Sequence, residues 1–113
     1  MEKLPKLFTV GQIDGFIEST VNAVFNINAI QSFGGKLLFT EDKLYFFFDP
    51  DTPGLLLHGN WFITYDEVEG FEKGGLFGVK FFIKLKDGKK LQFSNATSSF
   101  RDKVISGIES HKK

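Results

Sequence analysis

Apolar and polar residues alternate near the start of the chain. From Val21 to Ala29 every odd position is apolar, and asparagines fill three of the four even positions. Successive side chains of a strand point to opposite faces of the sheet, so this alternation is typical of a strand with one buried face. We predict a half-buried strand over 21–29.

Two further apolar runs, 36–39 and 43–48, flank Thr40-Glu41-Asp42 and predict a β-hairpin. In the register that pairs apolar residues, Phe39 faces Leu44 and Leu37 faces Phe46. The residues on the opposite, outward face are then Lys36, Leu38, Thr40, Lys43, Tyr45 and Phe47.

The second half of the chain continues in strands. The segment 49–60 contains prolines and glycines and is predicted to be a loop, followed by short strands over 61–65 and 68–72. The segment 79–85 alternates again, with Lys80, Phe82 and Lys84 outward. A three-residue loop, Lys86-Asp87-Gly88, pairs Ile83 with Leu91 and keeps the apolar faces together, so we predict that loop, with Gly88 left-handed in a bulge.

The period changes near the carboxy terminus. Phe100, Val104, Ile105 and Ile108 recur at helical spacing, and Ser98 or Ser99 is expected to cap the first turn. Gly107 inside this helix costs about 1 kcal/mol against alanine, so we expect tertiary packing to hold the helix.

The predicted elements are therefore about seven antiparallel strands followed by one helix. The chain has 113 residues, 42% hydrophobic and 25% charged, a balance that favours a single folded domain. So many strands in so short a chain favour a curled sheet or barrel plugged by the helix.

Several short segments resemble those of the GRAM and bacterial pleckstrin-homology-like (PH-like) domains. They are Gly34-Gly35-Lys36-Leu37-Leu38-Phe39-Thr40, Lys43-Leu44-Tyr45-Phe46, Ile63 to Val68, Lys86-Asp87-Gly88-Lys89 and Phe93. The resemblance covers Ser19 to His111 and implies a mainly β (α+β) barrel of two near-orthogonal sheets, capped by the C-terminal helix. We divide the chain into an N-terminal segment, 1–18, either a lid or flexible, and a PH-like domain, 19–113.

The densest basic cluster lies around the last predicted hairpin and consists of Lys80, Lys84, Lys86, Lys89 and Lys90. It is a candidate site for an anionic membrane headgroup or an acidic peptide. The alternative is a solvated hairpin tip, because edge lysines also oppose aggregation. The PH resemblance would place inositide contacts around the first inter-strand loop, but 26–35 contains no Lys or Arg.

A candidate partner interface is the apolar outward face of Leu38, Tyr45 and Phe47, which needs a cover. Either a second copy of the chain covers it, or the N-terminal segment does, through Leu4, Leu7, Phe8, Ile13 and Phe16. A second candidate is Leu55, Leu56 and Leu57, either a membrane or protein contact or a short strand in the barrel.

Charge and residue types exclude several functions. Fourteen basic and fourteen acidic residues give no net charge, so we expect no nucleic-acid partner. The chain has no cysteine and two histidines, and the calcium-like start at Asp49 has Asn60 where a glutamate is needed, so we expect no metal or cofactor. Inward positions are apolar, which leaves no catalytic residues to assign.

We find no targeting segment or spanning stretch and expect a cytoplasmic protein. Two functional hypotheses remain. The first is a non-catalytic binding module that recruits a protein segment or a membrane surface. The second is a self-associating structural domain, a homo-oligomer formed through the outer face of the first sheet.

Overall fold

The computed structural model describes residue 13 and residues 15–27, 31–49, 60–75 and 79–112. Within them, seven strands precede one helix. The strands are β1 (Ser19–Asn26), β2 (Ser32–Phe39), β3 (Lys43–Phe48), β4 (Trp61–Thr64), β5 (Val68–Gly74), β6 (Lys80–Leu85) and β7 (Lys90–Ser94). The helix α1 is Ser98–His111, and a 3-10 turn, Tyr65–Glu67, joins β4 to β5.

The seven strands form one antiparallel sheet in the order β4-β3-β2-β1-β7-β6-β5. Strand β1 pairs with β2 along its whole length, but with β7 only from Val24 to Asn26. The two sheets that the resemblance implied are therefore two halves of a continuous sheet, joined through β1. The predicted class, mainly β with a C-terminal helix, is confirmed.

The sheet curls strongly. Trp61 of β4 and Phe93 of β7 lie four strand spacings apart in the sheet order, which would be about 19 Å in a flat sheet. Their ring centroids are only 6.5 Å apart. Curling brings the inner sides of both halves onto a common core.

The predicted alternation in β1 is confirmed at Ala23 and Phe25, which are buried. It is wrong at Asn26, which is also buried and accepts a hydrogen bond from the Ser94 hydroxyl at 2.7 Å. Strand β1 ends at Asn26, earlier than predicted. Trp61 is fully buried in the same core, but its indole N–H has no acceptor among the described residues. Packing, rather than hydrogen bonding, therefore holds the Trp61 ring in place.

Strand β2 begins four residues earlier than the predicted run, because Gly34 and Gly35 lie inside the strand. A side-chain carbon at Gly35 would lie 2.5 Å from Cζ of Phe46 and against the Phe47 carbonyl. The absence of a side chain at Gly35 therefore leaves space for the Phe46 ring of the core, where β2 pairs with β3. The predicted hairpin register, Phe39 with Leu44 and Leu37 with Phe46, is confirmed.

The predicted turn between β6 and β7 is also confirmed. Ile83 pairs with Leu91, and Gly88 has φ +94°. The Leu85 amide donates to the Lys89 carbonyl at 2.8 Å, which closes the loop.

Helix α1 buries Phe100, Val104 and Ile108, as predicted. Its cap differs from the prediction: Thr97, one residue before Ser98, accepts a hydrogen bond from the Phe100 amide at 3.2 Å. Thr97 takes this role because its backbone is extended, as an N-cap requires, whereas Ser98 and Ser99 are already helical.

The end of α1 is fixed by three contacts of His111. Its ring stacks on Tyr65 with centroids 4.6 Å apart, Nδ1 lies 2.6 Å from the Gly107 carbonyl, and Nε2 lies 2.7 Å from the Glu18 carboxylate. Both oxygen partners only accept, so the ring satisfies both only when both nitrogens carry a proton. The Gly107 hydrogen bond, assisted by Glu18, raises the pKa of His111 although burial lowers it.

Replacing Gly107 by alanine should destabilise the protein despite the better helix propensity of alanine. The new methyl group would lie 2.6 Å from Cε1 of the buried Phe39 ring. We expect a loss of about 1–3 kcal/mol in the free energy of unfolding, measured by urea denaturation. Ser106→Ala, at the exposed neighbouring position, is the matched control and should be neutral or slightly stabilising. Equal stability of the two variants would contradict a close contact between Gly107 and Phe39.

His111→Gln should reduce stability in a pH-dependent way. Because the folded pKa of His111 is raised, its contribution is fully present below the unfolded value of about 6.5 and is lost as pH rises through the folded value. We expect the wild-type minus variant difference in unfolding free energy to be about 0.5–1 kcal/mol larger at acid than at alkaline pH.

The carboxylates on this side of the protein, Glu18, Glu41, Asp42 and Asp66, remain in both proteins, and so does His58. The comparison of denaturation curves therefore reports the loss of the His111 ring and of its contacts with Gly107, Tyr65 and Glu18. A difference that does not change with pH would show that the charge of the His111 ring contributes nothing.

Candidate binding surfaces

The first candidate surface is the outer side of β5, β6 and β7. On β6, Lys80, Phe82 and Lys84 alternate with buried residues and point away from the core. Lys90 pairs directly with Lys84, and Glu72 with Phe82. We call this surface the lysine face and define it by Lys80, Lys84, Lys90, Glu72, Phe82 and Gln92.

Charge on the lysine face is only partly compensated. The Lys90 ammonium lies 2.9 Å from the Glu72 carboxylate. The hydrogen bond and charge of Lys90, assisted by Lys84, hold the pKa of Glu72 below its usual value. Three lysines against one glutamate leave the surface positive.

An aromatic ring lies in the middle of these charges. The Lys90 ammonium is 5.7 Å from the centroid of the Phe82 ring. The ring also covers edge strand β5, since a side-chain carbon at Gly74 would lie 2.9 Å from Cε2 of Phe82. Glycine at this edge therefore allows Phe82 to lie flat between the lysines.

The other two predicted lysines lie in the β6–β7 turn. Lys89 is 3.5 Å from the neighbouring Asp87, an exposed pair that contributes little. Lys86 is exposed, and its backbone amide donates to the Glu67 carbonyl at 2.9 Å. The structure thus brings Lys80, Lys84 and Lys90 together on strands and places Lys86 and Lys89 beyond them.

The position of Glu72 on this surface was not predicted from the sequence. Its position follows from the β5–β6 register, which shifts between Val68 and Gly70. The extra residue there is a bulge, and residue types alone did not signal it. The alternation that placed Phe82 outward was the available signal for the rest of the surface.

The second candidate surface is the outer side of β2, β3 and β4. Leu38 and Tyr45 are outside the core cluster, yet they are only 8% and 1% exposed. Phe47 is half-buried, and the Tyr45 ring packs on Phe62 with centroids 5.7 Å apart. A partner would reach Leu38 or Tyr45 only by displacing whatever covers them.

Several predicted contact residues lie outside the described residues: Leu4, Leu7, Phe8, Leu55, Leu56 and Leu57. Of the two predicted lid residues that the structure describes, Ile13 is half-buried. Phe16 is 92% exposed and therefore does not contribute to a cover.

The described part of the chain contains no group of three or more His, Asp or Glu side chains placed to hold a metal ion. No helix among the described residues is long and apolar enough to span a bilayer. The buried polar side chains of the same residues are Asn26, Thr40 and Asn60, none of them an acid, a base or an activated nucleophile.

No protein-family model matches the chain, and no curated protein matches its sequence. Solved structures match its fold. The C-terminal domain of an unknown protein from Leishmania infantum has a TM-score of 0.63 at 18% identity, over 85% of this chain and 83% of that one.

Two fragments of RhoGEF proteins also match. The linker-DH/PH fragment of p115-RhoGEF has a TM-score of 0.64 at 10% identity, over 84% of this chain. The DH/PH fragment of PDZRhoGEF, solved in complex with human RhoA, has a TM-score of 0.64 at 18% identity, also over 84%. This chain spans 28% of each RhoGEF chain. At these identities the likeness concerns the fold, which is PH-like.

Proposed function

We propose that this chain is a non-catalytic binding module, of the PH-like type with GRAM-like sequence features, that recruits an acidic segment of a partner protein through the lysine face. The observation that carries the proposal is the grouping of Lys80, Lys84 and Lys90 around Phe82 on one strand surface.

The position of the lysines supports a binding role over a solvated tip. Lysines that only keep a hairpin soluble need no common face, whereas these three point the same way from two adjacent strands. The Phe82 ring between them adds an apolar contact for a partner side chain. Gly70 and Gly74 add no side chains to the edge strand beside them.

Three observations favour a protein partner over a membrane. The large exposed apolar side chains among the described residues are Phe16, Ile17 and Val79, and none belongs to the lysine face. The aromatic ring of that face, Phe82, is half-buried, so the face offers little apolar surface for insertion into lipid. The segment 26–35, where the PH resemblance would place inositide contacts, has no basic residue. A longer chain that matches this fold over 28% of its length, the DH/PH fragment of PDZRhoGEF, has been solved in complex with a protein, RhoA.

Self-association through Leu38, Tyr45 and Phe47 is less well supported. Leu38 and Tyr45 are buried in the single chain, so an interface between copies would first have to expose them. Recruitment through the lysine face requires no rearrangement.

The test is binding of a fluorescent peptide of alternating glutamate and glycine, measured by anisotropy. We expect saturable binding that weakens as salt is added, because exposed charges attract less strongly in salt. The double variant Lys80→Glu with Lys84→Glu should weaken it at least ~tenfold. Lys103→Glu, an exposed change on α1, is the matched control and should bind as the wild type does.

Vesicles of phosphatidylcholine with and without phosphatidylserine provide the second arm of this experiment. Co-sedimentation with the anionic vesicles, without binding of the acidic peptide, would replace the protein partner by a membrane. The proposal also fails if the lysine double variant binds the peptide as tightly as Lys103→Glu does.

A further inference from the structure

A groove of about 430 Å³ opens where β1 loses one of its neighbours. Strand β7 accompanies β1 only from Val24 to Asn26, and the chain then leaves the sheet through Asn95 to begin α1. The part of β1 before Val24 therefore has no strand beside it on this side within the described residues. This part of β1 and the glycine pair of β2 line the groove.

The glycine pair allows a carboxylate to lie over the sheet. The Asp49 amide donates to the Gly34 carbonyl at 3.0 Å, which fixes the end of β3 beside β2. Oδ2 of Asp49 is 2.8 Å from the place where a side-chain carbon at Gly34 would be. Any larger residue at position 34 would displace the carboxylate from the groove.

The Asp49 carboxylate has no hydrogen bond or ion pair with another described residue. Two cations lie near the groove. Lys36, which pairs with Asn22 and is exposed, forms no ion pair with Asp49. Arg101, next to Phe100, directs its guanidinium to the Ala96 carbonyl at 2.7 Å. A half-buried carboxylate without a donor among the described residues takes its hydrogen bonds from water, and the donors of a ligand can replace them. A ligand that brings donors and positive charge would satisfy it.

The remaining walls suit a cation on an apolar stem. Asn22 and Asn95 line the groove with amide side chains, which carry both donors and acceptors, and the backbone of Asn95 is left-handed, with φ 52°. Phe100 and Val24 provide apolar surface between the polar groups. A single carboxylate is a poor metal site, since Ca²⁺ takes six to eight oxygen ligands.

We infer that this groove binds the guanidinium group of an arginine side chain of a partner protein. A guanidinium presents a fork of N–H donors that matches both oxygens of a carboxylate, and its remaining donors reach neighbouring amide oxygens. The methylene stem packs on Phe100 and Val24. The groove binds a positively charged side chain, whereas the lysine face binds an acidic segment. The inference is therefore independent of the function proposed above.

The experiment is a titration with N-acetyl-arginine amide, followed by the backbone amide signals of the ¹⁵N-labelled full chain. We expect saturable shifts at Asn22, Gly34, Gly35 and Asn95, with a dissociation constant on the order of 1 mM. N-acetyl-citrulline amide, which has nearly the same shape without the charge, should bind at least ~tenfold more weakly.

Two variants test the role of the carboxylate. Asp49→Asn should weaken binding of the arginine probe at least ~tenfold, whereas Asp66→Asn, an exposed change away from the groove, should leave it unchanged. Asn22→Lys, at an exposed position that lines the groove, should also weaken binding of the probe by adding a positive charge and a longer side chain to the wall, and it keeps the test valid should Asp49→Asn fold poorly.

Three results would overturn the inference. They are an absence of shifts in the groove up to roughly 10 mM probe, equal affinity for the citrulline probe, and undiminished binding by correctly folded Asp49→Asn or Asn22→Lys. None of these results bears on the acidic peptide, so the lysine face and the groove are judged separately.

Discussion

The fold depends on Phe25, which lies in the short part of β1 that pairs with both β2 and β7. Strand β1 joins the two halves of the sheet there, and the rings of Phe46, Trp61 and Phe93 lie 5.3, 5.3 and 5.4 Å from the Phe25 ring. Tilted aromatic pairs of this kind add about 0.5–1.5 kcal/mol each beyond the burial of their area. Because these rings come from both halves, the cluster holds the sheet in its curled form. The curl in turn leaves each half with an outer face of its own.

The surfaces are consequences of this core. Residues Phe81 and Ile83 must point inward to join it, and the alternation of a strand then directs Lys80 and Lys84 outward together. The groove has a related origin. Three residues of β1, Val24 to Asn26, pair with β7, and the sheet opens beyond Val24, where β7 ends.

The alternation of apolar and polar residues, together with the turn residues, predicted much of this fold. Particular residues show which features these patterns do not predict. The β6–β7 register followed from the requirement that Ile83 and Leu91 share a face, a local condition with a single solution. The position of Gly34 and Gly35 inside a strand could not be predicted, because a glycine pair is equally typical of a turn. The Phe46 ring that requires the space at Gly35 belongs to another strand. The burial of Tyr45 likewise depends on groups distant in sequence. The lysines could be predicted as a candidate site because they are close together in the sequence. The Asp49 groove could not, because its lining residues come from several elements that are far apart in the sequence.

The contact between Glu18 and His111 joins the entry of the first strand to the last turn of the helix. The chain therefore enters and leaves this unit at neighbouring points on its surface. Units with this geometry are tolerated as insertions, because they replace a surface loop of a host protein without separating the two ends of that loop. A graft of 18–111 into an exposed loop would thus carry the lysine face and the groove together, in their native relation.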